Sequence, residues 1–128
     1  MKINGKEAYG KEIILDMWDC DPKKMNRTKL REFFKVLCKK IDMQKELLCF
    51  WDDVGVPKEY KETEPHLIGT SAVQFIKTSN ITIHTLTVMK RVYLNIFSCK
   101  DFDPKVAEKY CKDFFKGKVK NSKVIIRR

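Results

Sequence analysis

Ser79 and His84 are the residues whose types and spacing could most directly do chemistry, since they lie five positions apart across a predicted turn-to-strand junction. The run 81–84 alternates strictly between apolar and polar residues. That alternation predicts a half-buried strand with two isoleucines on one face and Thr82 and His84 on the other. A serine exposed by a turn near a proton acceptor can become a nucleophile. On spacing alone the motif is weak evidence for catalysis, because a lone histidine in a strand more often has a structural role.

The length and composition indicate a single globular domain. A chain of 128 residues has the size of one domain, which we expect to span 1–128, and its 43% hydrophobic content argues against disorder. No apolar run approaches the ~20 residues that a membrane-spanning helix needs. The N-terminus lacks the apolar stretch of a secretory signal. We therefore expect a cytoplasmic protein that has no membrane partner.

The cysteines and histidines do not form a recognisable metal or disulfide pattern. Five cysteines and two histidines are widely spaced, and there is no CxxC pair. We predict no metal, no disulfide framework, and burial of most cysteines as small apolar residues.

The net charge of +10 raises the hypothesis of nucleic-acid binding. The basic residues are mostly lysines spread along the chain, with no arginine-rich block and no aromatic-and-basic nucleotide-binding motif. Solvated lysine-rich faces explain this pattern equally well and are the favoured interpretation. We predict no nucleic-acid partner.

The apolar periodicity predicts the element order β-α-β-β-β-β-α-β. The predicted strands cover 12–18, 46–51, 66–77, 81–86, 90–99 and 123–127, and the predicted helices cover about 25–41 and 104–115. This order predicts an α+β fold, a two-layer sandwich in which a mostly antiparallel sheet carries both helices on one face.

Capping and turn residues set the predicted boundaries. Asn26 or Thr28 could cap the first helix, and Asp103 followed by proline predicts the start of the second. Gly117 is predicted to end the second helix. Residues 52–65 form a predicted surface loop, either a functional lid or an ordinary insertion, and residues 1–9 are expected to be frayed.

Four motifs stand in a fixed register along the chain. They are Trp18-Asp19-Cys20-Asp21, then Ser71, then Thr78-Ser79-Asn80-Ile81-Thr82-Ile83-His84-Thr85, and last Phe97-Ser98-Cys99. From about residue 10 to the C-terminus, the chain resembles the pyruvoyl-dependent S-adenosylmethionine decarboxylase proenzymes of the short bacterial and archaeal type. The resemblance implies that family's two-layer fold.

The resemblance also implies self-cleavage between Thr78 and Ser79, giving a chain of residues 1–78 and a chain of residues 79–128. In the family the serine hydroxyl attacks the preceding carbonyl and forms an ester. Elimination and loss of ammonia then leave a covalent pyruvoyl group at the position of Ser79. His84 would be the base in this elimination, and Ser71 would position or protonate groups during processing.

By the same resemblance, the pyruvoyl ketone forms a Schiff base with the substrate amine and accepts the electrons released as CO₂ leaves. Cys99 would protonate the resulting carbanion, because a thiol gives up a proton at neutral pH more readily than an alcohol. The implied activity is decarboxylation of S-adenosylmethionine for spermidine and other polyamine synthesis, by a homodimer of cleaved protomers.

Three positions that are acidic in the family are Thr78, Val88 and Asn95 in this chain. Asp16 and Asp19 remain on the first strand as candidate substrate-binding acids, and Trp18 is one of several aromatic residues near the site that could stack on adenine. Strand-end solubility and helix capping explain the two acids equally well.

Two alternatives stay open. The same chemistry on arginine or ornithine would need the same serine and cysteine, so those residues do not discriminate between the substrates. The second alternative is not an enzyme: the protein would be an uncleaved, non-catalytic homologue that serves as a subunit or regulator.

Overall fold

The strict alternation along the central strands builds a sheet with one buried face. The structure is a computed structural model that describes residues 2–3 and 5–128. Its strands are β1 (Lys2–Ile3), β2 (Lys6–Glu7), β3 (Gly10–Trp18), β4 (Lys45–Trp51), β5 (Gly69–Ile76), β6 (Ser79–Leu86), β7 (Arg91–Ser98) and β8 (Lys118–Arg127), and its helices are α1 (Arg27–Lys40) and α2 (Pro104–Phe115).

Six strands form one antiparallel sheet in the order β4-β5-β6-β7-β3-β8. From β3 to β8 the elements follow the predicted order, and the α+β class is confirmed. The N-terminal prediction was wrong: β1 and β2 pair as a small antiparallel ladder instead of fraying. The burial of Ile3 and Ala8 explains why the described N-terminal residues are ordered and not frayed.

Both helices pack their apolar stripes on the same face of the sheet. The α1 stripe contains Phe33, which is fully buried and lies 4.9 Å, ring to ring, from Phe115 of α2. The Asn26 side chain accepts a hydrogen bond from the Lys29 amide and caps α1. The Asp103 side chain likewise caps α2, as predicted.

Gly117 does not end α2 through a left-handed conformation. Lys116 takes that role, with φ of 53°. Gly117 is instead needed for close packing, because a Cβ atom there would lie 2.6 Å from the Cys20 sulfur.

Several predicted boundaries move in the structure. β6 begins at Ser79 and not at 81, and β5 begins at Gly69 because Pro65–Leu67 forms a 3₁₀ turn. β8 begins at Lys118 and not at 123, because it is held by pairing with β3 although few of its side chains are buried.

The second face of the sheet carries no helix and is called the open face below. It presents Trp51 and Phe75, whose side chains are 76% and 43% exposed. Within the described residues, no helix is both long and apolar enough to cross a membrane.

Candidate active site

The turn between β5 and β6 contains only Lys77 and Thr78, since Ile76 pairs with Ser79. Thr78 has φ of 61°, in the left-handed region that a β-branched residue rarely adopts. Ser79 is therefore the first residue of β6 and is only 7% exposed. The bond predicted to break joins a strained turn residue to the start of a strand.

Ser79, Thr78 and Cys99 form one cluster at this end of the sheet. The Cys99 backbone amide donates a hydrogen bond to Ser79 Oγ over 2.9 Å. Thr78 Oγ1 lies 2.9 Å from the Cys99 sulfur and 2.7 Å from the Lys77 carbonyl oxygen, so its one hydroxyl proton can be donated to either of these acceptors. A cavity of about 360 Å³ adjoins Thr78 and Cys99, and Lys77 and Lys100 also line it. The structure thus brings the predicted scissile bond and the predicted proton donor together.

Cys99 is the thiol in this cluster, and its pKa is lowered from the ordinary value. Hydrogen bonds from the hydroxyls of Thr78, then Ser79 and more weakly Tyr9, stabilise the thiolate. Burial has the opposite effect elsewhere, raising the pKa of both Cys20 and Cys38 to about 11. Cys99 is therefore better suited to proton transfer than these buried cysteines.

Ser71 and His84 form a second cluster on the open face. They are direct partners in the β5–β6 ladder, and Ser71 Oγ lies 2.9 Å from His84 Nδ1. The same cross-strand row continues to Tyr93 and Asp16. In the tautomer with an unprotonated Nδ1, Ser71 donates this hydrogen bond and holds the imidazole in place.

The two clusters lie at opposite ends of β6. His84 is five positions along the extended strand from Ser79, or about 17 Å at the usual rise of ~3.4 Å per residue. Within one copy of the chain, His84 therefore does not contact Ser79. Spacing in the sequence does not correspond to closeness in this strand.

A cavity of about 430 Å³ adjoins the Ser71–His84 pair. Its lining combines aromatic rings with acidic side chains of the 52–65 loop, namely Trp51, Tyr93, Asp52, Asp53 and Glu62. Sequence reasoning missed these carboxylates. The available signal was Trp51 at the end of β4: it pairs with Ser71, so the acids that follow it come close to the histidine. Carboxylates are thus present near the candidate site, although three positions that are acidic in the family are not acidic here.

The 52–65 loop is braced against the rest of the fold. Asp52 accepts two hydrogen bonds of 2.8 Å from the Arg27 guanidinium and one from the Thr70 hydroxyl. The bond from Arg27 is the main reason that the pKa of Asp52 is lowered. Asp53 accepts a hydrogen bond of 2.8 Å from the Glu62 amide and closes the loop on itself. Asp52 is thus a structural anchor for the loop.

The candidate substrate residues of the first strand lie toward the His84 end. Asp16 accepts a hydrogen bond of 3.3 Å from Asn121. Trp18 is contacted by the cations of Arg91, at 4.0 Å from its ring centroid, and Lys120, at 4.9 Å. Asp19 lies in a left-handed turn, 3.5 Å from the Lys118 ammonium. Trp18 and Asp19 therefore already have cationic partners within the chain.

Glu12 supplies an acid that sequence reasoning also missed. Its carboxylate accepts hydrogen bonds from Asn95 and from Arg127. Asn95 stands at a position that is acidic in the family. The carboxylate of Glu12 on the neighbouring strand lies beside it. In the part of the chain that the structure describes, no three His, Cys, Asp or Glu side chains are grouped to hold a metal ion.

The family model for S-adenosylmethionine decarboxylase matches residues 11–128, nearly the whole chain. The chain belongs to the S-adenosylmethionine decarboxylase family. A family member from Bacillus cereus, S-adenosylmethionine decarboxylase proenzyme 1, is 26% identical over 121 residues, which cover 91% of this chain and 82% of that protein. The S-adenosylmethionine decarboxylase proenzyme of Bacillus velezensis is 27% identical over 109 residues, covering 84% of this chain and 76% of that protein.

The crystal structure of the adenosylmethionine decarboxylase from Aquifex aeolicus has the same fold. It superposes with a TM-score of 0.72 at 20% sequence identity, covering 95% of this chain and 92% of that one. The fold expected from the resemblance is therefore confirmed.

Alkylation of Cys99 tests the first cluster. In a chain kept uncut by Ser79→Ala, we expect adding Thr78→Val to raise the pH midpoint of Cys99 alkylation, because the largest contribution to its lowered pKa is lost. Mass spectrometry of iodoacetamide-treated protein over a pH series measures this midpoint. The exposed Cys49 is the internal control, and an unchanged Cys99 midpoint would contradict the assignment.

Proposed function

We propose that this chain is a self-processing, pyruvoyl-dependent decarboxylase of S-adenosylmethionine. The observation that carries the proposal is the cluster of Thr78, Ser79 and Cys99 around one peptide bond, beside a cavity, in a member of this family. The relatives' description as proenzymes supports a maturation step. Decarboxylated S-adenosylmethionine would supply aminopropyl groups for spermidine synthesis in the cytoplasm.

The first part of the maturation step uses the Ser79 hydroxyl of the cluster, and the later elimination needs a base, the role proposed for His84. Ser79 Oγ attacks the Thr78 carbonyl carbon, the C–N bond breaks, and the hydroxyl proton ends on the freed nitrogen. Removal of the Ser79 Cα proton then breaks the Cβ–O bond and releases the Thr78 carboxylate. The enamine that remains takes up a proton at Cβ and becomes an imine. Water then replaces the nitrogen, which leaves as ammonia, and residue 79 becomes a pyruvoyl group at a new chain end.

The residues around Ser79 fit such a group. Ser79 stands at the start of a strand, so cleavage leaves a free end there that is held by the β6 ladders. The group would supply an electron sink for the loss of CO₂. Cys99 lies against Ser79 through its backbone amide and its thiol, and the thiol would deliver the proton to carbon.

A homodimer would complete the site. The open face carries exposed aromatic and aliphatic side chains such as Trp51, Phe75 and Ile125, which a second copy would bury. If two open faces pack with their strands running in opposite directions, the Ser71–His84 pair of one copy approaches the Ser79 end of the other. This arrangement would bring a base from the partner copy to the end of β6 at which Ser79 lies, about 17 Å along the strand from the His84 of its own chain.

The loop carboxylates favour a cationic substrate, and two classes of cationic substrate fit them. Asp53 and Glu62 line the cavity beside Trp51 and Tyr93, so it can accept a sulfonium with a stacked adenine. The same acids could hold the terminal cation of arginine or ornithine, which makes a basic amino acid decarboxylase the second candidate function.

Processing gives the first test. Mass spectrometry of the purified chain is expected to show fragments 1–78 and 79–128, the second carrying the pyruvoyl group. Ser79→Ala should remain intact, because no hydroxyl is left to attack the Thr78 carbonyl. An intact parent chain would support the non-catalytic homologue, and cleavage of Ser79→Ala at the same bond would exclude self-processing by this serine.

Mixed dimers test whether His84 acts across the interface. His84→Ala alone is expected to mature about 10²- to 10⁴-fold more slowly, the usual contribution of a general base. Co-expression with Ser79→Ala, which stays uncut but provides His84, should restore cleavage of the His84→Ala chain. Tags of different mass on the two chains allow their cleavage to be measured separately. Absence of rescue would show that His84 acts within its own chain or in another role.

Labelled substrates decide between the two decarboxylases. Processed protein incubated with carboxyl-labelled S-adenosylmethionine is expected to release labelled CO₂, and Cys99→Ala should release far less because the proton donor is gone. The matched incubations contain labelled arginine and labelled ornithine. Release from either of these and none from S-adenosylmethionine would establish the second candidate.

A further inference from the structure

Thr78 has a backbone conformation that its side chain disfavours. The described residues other than glycine with positive φ are Asp19, Asp42, Thr78, Lys90 and Lys116. Among these, Thr78 alone is branched at Cβ. Aspartate tolerates the left-handed region and lysine has an unbranched Cβ, whereas a β-branched residue there is a true outlier.

The hairpin holds Thr78 in this conformation. Ile76 and Ser79 are paired, so two residues must reverse the chain, and only the second of them, Thr78, has positive φ. That position of a turn strongly favours glycine or asparagine. The side chain is held as well, since its hydroxyl contacts both the Lys77 carbonyl and the Cys99 sulfur. Strain of this kind persists only where the surroundings enforce it.

We propose that Thr78 stores backbone strain in the intact turn and that ester formation at Ser79 releases it, which makes Thr78 a positioning residue for self-cleavage. This inference rests on the proposed function. In the intact chain the Thr78 carbonyl carbon reaches the Ser79 Cα through the amide nitrogen. After the acyl shift it reaches the same Cα through Oγ and Cβ, so the connection is one atom longer.

The longer connection frees Thr78 from the two-residue turn. The ester is thereby stabilised relative to the peptide, and the acyl shift is less unfavourable than it would be in a relaxed turn. A residue that fits the left-handed region would remove this advantage. Glycine and asparagine are the two natural choices.

The strain itself is measured in a chain kept uncut by Ser79→Ala. Adding Thr78→Asn should raise the thermal unfolding midpoint, and Thr78→Gly should do so by less, because glycine also gains freedom in the unfolded chain. Thr78→Val keeps the branched Cβ and should show no rise. No rise with Thr78→Asn would overturn the proposal.

The consequence is measured in chains that retain Ser79. Thr78→Asn and Thr78→Gly should mature about 5- to 30-fold more slowly than the parent, the range that left-handed strain implies, and Thr78→Val should mature faster than either. Lys90→Gly relieves another left-handed residue, with φ of 56°, in the β6–β7 turn and should leave the rate unchanged. An uncut parent would overturn the proposed function. A cut parent with an equally fast Thr78→Asn would overturn the strain proposal alone.

Discussion

The two-residue connection between β5 and β6 is the constraint on which the candidate site depends. Because it is so short, it fixes the register of the whole hairpin and places Ser71 opposite His84. The same register puts Ser79 at the first position of β6, and Thr78, the residue before it, lies in the left-handed region. A connection longer by a single residue would turn every side chain of one strand to the opposite face. The positions of these side chains relative to one another therefore depend on the length of this turn.

Coverage of the sheet by helices on one side determines where polar chemistry can occur. The helix face is filled by apolar side chains, and few polar groups are buried there. Acids, amides and the histidine collect on the open face and at the ends of its strands. Glu12 beside Asn95, and the loop acids beside His84, follow from this segregation. A chain with a net charge of +10 thus concentrates carboxylates where a cationic ligand would be held.

Much of the fold could be predicted from local patterns, because alternation and capping act over a few residues. The caps Asn26 and Asp103 and the order along the chain of the six main strands and two helices are examples. The start of β8 at Lys118 could not be found this way, because pairing with β3 and not an apolar pattern defines it. The site was harder to predict, since it depends on contacts between distant segments. The distance between Ser79 and His84 does follow from the strand assignment, because each residue of an extended strand adds a fixed rise. A spacing of five residues in the sequence therefore does not place these two side chains in contact.

The position of β3 in the sheet has a consequence if the chain is cleaved as proposed. β3 belongs to the segment before the proposed cleavage site between Thr78 and Ser79, yet it lies between β7 and β8, which both belong to the segment after it. The two products of cleavage would therefore be interleaved, each contributing three strands and one helix to a shared core. Their separation would require breaking both ladders of β3 as well as the β5–β6 ladder. A cut at this turn removes one covalent link while the non-covalent architecture continues to hold the two polypeptides as one folded unit.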